Sequence, residues 1–142
     1  MKTTVVQKAI VLNDKQQMLM LRRSKTDVRR PLQWDLPGGM HEEGEELLAS
    51  ITREITEEIN LAVTDLRPVY AKTKVRTWKE DTLERVENVV YIFYVAQAAS
   101  TDVRLSFEHD KFQWEVAAVA EQAYEYDTHK ELLRHVISNH LI

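Results

Sequence analysis

Valine and isoleucine crowd the segment Thr4–Leu12, the polar run "NDKQQ" interrupts it, and apolar residues resume over Met18–Arg22. That pattern predicts two strands joined as a hairpin. From Glu45 to Ile59 the period changes. Leu47, Ile51, Ile55 and Ile59 recur every fourth residue and Leu48 widens the stripe, which predicts a helix that docks this face on a sheet. Asn60 follows, a residue tolerant of the left-handed conformation common just past a helix end. Leu61–Trp78 and Val86–Ala98 read as strands, the second central and covered on both faces because "NVVYIFYVA" is almost wholly β-branched and aromatic. Between them, "KEDTLER" reads as a charged hairpin loop. Lys111–Val116 predicts a last strand. His129–Leu141 predicts a closing amphipathic helix with Leu132, Leu133, Val136 and Ile137 inward. The expected fold class is α/β (α+β): a mixed sheet with one helix mid-chain and another at the end.

Composition adds exclusions. A chain of 142 residues is expected to form one domain, 1–142, with a substantial core. A net charge of −4 offers no overall attraction to nucleic acid or anionic membrane. There are no cysteines, which excludes disulfides, thiolate zinc sites and cysteine nucleophiles and fits a reducing cytoplasm. The N-terminal stretch lacks the apolar run of a signal peptide, and no segment approaches the ~20 apolar residues of a membrane span. A cytoplasmic protein with no membrane or stable nucleic-acid partner is expected.

The chemistry concentrates in "LPGGMHEEGEELLASITREITEEI", Leu36 to Ile59. It holds all three glycines of the chain, and seven carboxylates against one arginine, Arg53. At about 100° per residue, Glu57, Glu54 and Glu58 adjoin the apolar stripe, and Glu58 falls inside its edge, between Leu47 and Ile51. A solvated acidic face would lie opposite. Like charges one turn apart repel, and a partly buried carboxylate needs a partner. One arginine cannot neutralise three glutamates. A hard divalent cation can, and magnesium or manganese prefers oxygen ligands. A merely hydrated acidic flank is the usual state of isolated glutamate-rich helices. The Gly38-Gly39 turn tips the balance, because it lets main-chain atoms approach a ligand and adds a carbonyl oxygen.

The run from Gly39 resembles the Nudix box. It has a glycine, five residues, Glu45, seven residues, Arg53-Glu54, Ile55, one residue, Glu57-Glu58, one residue, then Asn60 and Leu61. Asn60 in place of glycine is the single departure, and slight strain is expected there. The resemblance implies a Nudix fold, an α/β/α sandwich around a mixed sheet. It implies that Glu54, Glu57 and Glu58 hold divalent metal, usually Mg2+ with Mn2+ as substitute, helped by a carbonyl of Gly38 or Gly39. Arg53 would orient the glutamates, pairing with Glu45. The implied substrate is a nucleoside diphosphate linked to another moiety, cleaved by water at a pyrophosphate phosphorus. Dimers are common in the family, so a homodimer is among the expected assemblies.

Outside the box, Glu108 stands where related enzymes bring in a glutamate to complete the metal site or act as base; an exposed loop acid is the plainer alternative. Between Arg22 and Arg30 lie five basic residues and one acid, read as a loop. Its default state is solvated, yet Arg23 or Arg30 could reach substrate phosphates from there. Trp34 could stack on a base or simply pack. His109 is expected to be structural or solvated, and His41 to face water. Subfamily marks for ADP-ribose, dinucleoside polyphosphate and NADH hydrolysis are absent, which leaves nucleoside triphosphates slightly ahead by elimination. Isopentenyl diphosphate isomerases share the architecture but need a cysteine. A non-catalytic nucleotide sensor is the remaining alternative, against which every charged position of the box is intact.

Overall fold

The computed structural model describes residues 1–142. Its elements are β1 (Lys2–Leu12), β2 (Met18–Arg23), β3 (Trp34–Asp35), β4 (Gly38–Met40), α1 (Leu47–Ile59), β5 (Val63–Glu80), β6 (Leu83–Ala98), β7 (His109–Glu115), α2 (Ala117–Ala123) and α3 (Asp127–Ser138). The strands form one mixed sheet in the order β3-β2-β1-β6-β5, with β4 paired to β1 and β7 to β2. β1 runs parallel to β6, while the β1–β4 pairing sets Gly38 opposite Lys8 and Gly39 opposite Gln7.

Alternate residues of β6 feed two cores. Val89, Tyr91, Phe93 and Val95 pack with Tyr124, Leu132, Leu133 and Val136 beneath α2 and α3. Tyr94 points the other way, into a cluster with Ala9, Val11, Ile51, Ile55 and Ile59 under α1. Helices therefore cover both faces of the sheet, the three-layer arrangement expected. No helix is long and apolar enough to cross a membrane.

Several expectations need correction. Leu47 and Leu48 do not face inward; they are 40% and 44% exposed, and Ser50 is buried in their stead. Helical side chains lean toward the N-terminus, so those of a first turn project past the helix start. "KEDTLER" is mostly strand. β5 runs to Glu80 and β6 begins at Leu83, leaving a turn at Asp81-Thr82. Across the two strands Arg85 Nε lies 3.5 Å from Glu80 Oε2, a charge pair that extends the ladder. Arg22 and Arg23 belong to β2 rather than to the basic loop. Helix α2, seven residues rich in alanine, is too short to show a period and was not anticipated.

Candidate active site

Helix α1 is held at both ends. The Glu46 side chain accepts from the Ala49 N–H at 2.9 Å, and Asn60 closes the helix at φ 54° with its N–H on the Thr56 carbonyl. Asn60 does more than tolerate that angle, since its Nδ2 donates to the Arg104 carbonyl at 2.9 Å. So fixed, α1 presents Glu54 and Glu58 toward the Gly38-Gly39 strand. A Cβ on Gly39 would stand 2.7 Å from Glu54 Oε2. Glu58 is buried, 5% exposed, with Oε2 3.5 Å from the Gly38 N–H. Burial pushes its carboxyl up to about 8; Lys8 opposes the shift, and Asp35 and Glu108 add to it. Glu54 is also raised, by burial first and then by Glu57 and Glu108, against Arg53.

Arg53 organises the outer carboxylates. It donates to Glu45 through Nε at 3.0 Å and Nη2 at 2.7 Å, and to Glu57 through Nη1 at 3.1 and 3.2 Å. Its Nη2 also reaches Glu54 Oε1 at 3.4 Å. Glu57 is therefore turned toward Arg53, and no three acidic or histidine side chains close on a common point. The donor set still fits a hard divalent ion. It is all oxygen, it includes a buried carboxyl held far above its ordinary value, and a glycine strand lies alongside. Glu108 is exposed on the loop before β7, and that loop is tied to the helix end by the Ser106 N–H on the Glu58 carbonyl at 3.0 Å.

Beneath the glycines lies a buried hub that sequence reasoning missed. Asp35, fully buried, accepts from Arg23 Nη1 at 2.6 Å, His129 Nε2 at 2.7 Å and Lys8 Nζ at 3.4 Å. Burial opposes its charge, but Lys8, His129 and Arg30 outweigh burial and hold the carboxyl well below its ordinary value. Lys8 also donates to the carbonyls of Leu36 at 3.2 Å and Gly38 at 3.4 Å. The signal was present in Lys8, a lone charge inside the apolar run "VVQKAIVL".

A cavity of about 870 Å³ opens beside this end, lined there by Lys8, Gly38, Gly39, Glu58 and Glu108. Arg23 and Arg30 line it, but Trp34 does not; its ring packs against the core under α2 and α3, with Lys111 Nζ 5.9 Å from the ring centre. The aromatic residues on the wall are Trp78, Tyr91, Tyr126 and Phe107. His109 is buried and lines the cavity, its pKa lowered to about 4, chiefly by burial and then by Lys8. His41 does not simply face water; its Nε2 lies 2.7 Å from the Glu45 carbonyl.

The NUDIX domain model matches residues 2–136. The chain belongs to the Nudix family. It is similar to nucleoside triphosphatase NudI of Enterobacter sp. (strain 638), 31% identical over 88 residues that span 59% of this chain and 62% of the relative. NudI of Escherichia coli O81 (strain ED1a) is 32% identical over the same length. Among solved Nudix-like structures, the MutT protein from Methanosarcina mazei Go1 superposes with a TM-score of 0.63 at 25% identity, covering 83% of this chain and 80% of that one. A C. elegans Ap4A hydrolase superposes with a TM-score of 0.68 at 21% identity over 95% of this chain and 96% of that one, a likeness of fold.

Proposed function

We propose that the protein is a metal-dependent pyrophosphohydrolase acting in the cytoplasm on a nucleoside diphosphate linked to another moiety, nucleoside triphosphates included. The observation that carries this reading is Glu58, a carboxyl buried against the Gly38-Gly39 strand with its Oε2 3.5 Å from the Gly38 nitrogen, with Glu54 packed against Gly39 one turn before it. Glu54, Glu57, Glu58 and a carbonyl of Gly38 or Gly39 would hold Mg2+, or Mn2+ in its place. The ion would neutralise the diphosphate and make water easier to deprotonate.

The chain's own residues do the rest. Arg53 keeps Glu45, Glu54 and Glu57 in register through its fork. Lys8 braces the glycine strand from below. Arg30 is better placed than Arg23 to meet phosphate, since Arg23 is committed to Asp27 and Asp35 while Arg30 Nη1 is buried without a partner. A carboxylate of the set, Glu108 among them, takes the proton from the attacking water. The relatives named as nucleoside triphosphatases support this substrate class.

A nucleotide panel with magnesium, run on wild type and Glu57→Gln, tests the reading. Metal-dependent phosphate or pyrophosphate release that is lost in the variant is expected. Tight nucleotide binding without turnover of any substrate would replace it with the sensor.

A further inference from the structure

Helix α1 ends on a side chain that makes a bond no glycine could. At Asn60 the left-handed turn, φ 54°, is closed by the residue's own backbone N–H on the Thr56 carbonyl. Glycine would make that bond as well, with no conformational cost. The Asn60 amide is therefore not needed by the helix. Its Nδ2 donates instead to the carbonyl of Arg104, 44 positions along the chain, at 2.9 Å. The bond is exposed and so adds little to stability; what it can set is position.

Arg104 lies in residues 99–108, a connection from β6 to β7 with no helix or strand of its own. Such a segment keeps a fixed shape only through specific ties. Consecutive residues of the helix end supply them. The Ile59 carbonyl accepts the Arg104 N–H at 3.0 Å, Asn60 Nδ2 holds the Arg104 carbonyl, and the Glu58 carbonyl accepts the Ser106 N–H at 3.0 Å. Val103 and Leu105 pack into the core under α1, but Phe107 is 88% exposed, so packing ends before the tip. The turn itself adds only long bonds, from the Glu108 and His109 N–H groups to Ser106 at 3.4 Å. On the far side the Glu108 carbonyl accepts the Ser24 N–H at 3.0 Å. Hydrogen bonds on either side thus set where Glu108 leaves the backbone. Glu108 lines the same cavity as Glu58, and after burial its charge adds to the upward shift of both Glu58 and Glu54.

We infer that Asn60 is a positioning residue for hydrolysis: by holding the Arg104 carbonyl it keeps the 99–108 connection docked on the end of α1, and with it Glu108 at the reacting end of the cavity. This rests on Glu108 serving the hydrolysis proposed above. The asparagine at this place in the box is then used, not merely tolerated.

Asn60→Gly deletes the tie and keeps the cap. Steady-state rates with magnesium are read on a panel of nucleoside triphosphates and diadenosine tetraphosphate, for wild type, Asn60→Gly, Glu108→Gln and the double variant. On the nucleotide turned over fastest, Asn60→Gly is expected to lower kcat about tenfold with KM within about twofold. The residual rate of Glu108→Gln should fall no further when Asn60→Gly is added, since residues that act through one another are not additive. An unchanged kcat in Asn60→Gly, an unchanged kcat in Glu108→Gln, or the same loss in both backgrounds overturns the assignment; the last is what a purely structural cap would give. Amide exchange on the same proteins needs no turnover. The Arg104 and Ser106 N–H groups should exchange about five- to tenfold faster in Asn60→Gly at an unchanged thermal midpoint. Equal exchange overturns the tie. A wild type that turns over nothing refutes the hydrolase reading, while the exchange rates still decide the tie.

Discussion

Gly39 and Glu54 share one small volume: a methyl group on the Gly39 Cα would stand 2.7 Å from Glu54 Oε2. The neighbouring glycine is closed off by backbone instead. At Gly38, φ is 136° and an added Cβ would meet the Gln7 carbonyl oxygen at 2.1 Å. Two adjacent glycines are thus required for different reasons, one for a side chain that can move and one for a strand that cannot.

Gly39→Ala should fold and lose most hydrolytic activity, because the added methyl displaces the Glu54 carboxylate. Gly38→Ala should instead cost about 3 kcal/mol of stability or more, through the strained angle and the clash with β1. Urea unfolding and turnover measured side by side check both. Full activity in Gly39→Ala would remove Glu54 from the site.

Lys8→Met keeps the stem of a buried side chain and removes its charge. Asp35 then depends on Arg23 and His129, and the Gly38 carbonyl loses its donor. A loss of about 3 kcal/mol is expected, the lower end for a broken buried pair because Arg23, His129 and the Leu36 N–H still bond Asp35. Denaturant midpoints at pH 7 read it, and a change below about 0.5 kcal/mol would show that the hub does not need this lysine.

Asn60 tests whether the box position needs glycine. Asn60→Gly removes the left-handed cost but also the bond to the Arg104 carbonyl, so stability should move by less than about 0.5 kcal/mol. Asn60→Ala loses both advantages and should cost about 1 kcal/mol. Thermal unfolding of the two variants distinguishes a cap from a spectator.

Acid should weaken the fold through two buried histidines, while Glu58 and Glu54, held above the ordinary carboxylate value, act in the opposite direction over the same span. His129 is fully buried and its pKa is lowered by burial, despite Asp35; the pKa of His109 is lowered to about 4. A neutral His129 donating from Nε2 leaves Nδ1 a bare acceptor, in keeping with its lack of a partner. The unfolded chain binds protons at these rings from about pH 6.5 downward while the native rings resist, so the histidines' contribution to stability is full above that pH and falls below it. In Glu58→Gln, which removes the largest opposing carboxyl, unfolding midpoints should drop from pH 7 to pH 5, with the His109 ring still neutral by NMR at pH 5 and the His129 ring titrating below its ordinary value. A flat profile, or either ring titrating near 6.5 in the native protein, would contradict the burial argument.

Much of this was legible along the chain. The hairpin, the central strand and the closing helix follow from local periodicity, which reports a face wherever neighbours in sequence share an environment. The placing of Glu58 at the edge of the apolar arc was sound, since it is among the buried residues of α1. Trp34 stayed open between stacking on a base and packing, because an aromatic beside a glycine turn suits either, and the fold packs it against the core. The Lys74-Arg76-Trp78 alternation was readable as a shared face, but its polarity resembles any solvated edge strand.

By itself, the order of residues determined the elements and the acidic helix behind a glycine turn, because helix phase and turn conformation depend on residues a few positions apart. Only the tertiary structure decided that Asp35, Lys8, Arg23 and His129 meet, and that β5 carries its cations to the cavity holding Glu58. Those encounters join residues up to 94 positions apart in the chain. They depend on strand order and register, which no local pattern encodes.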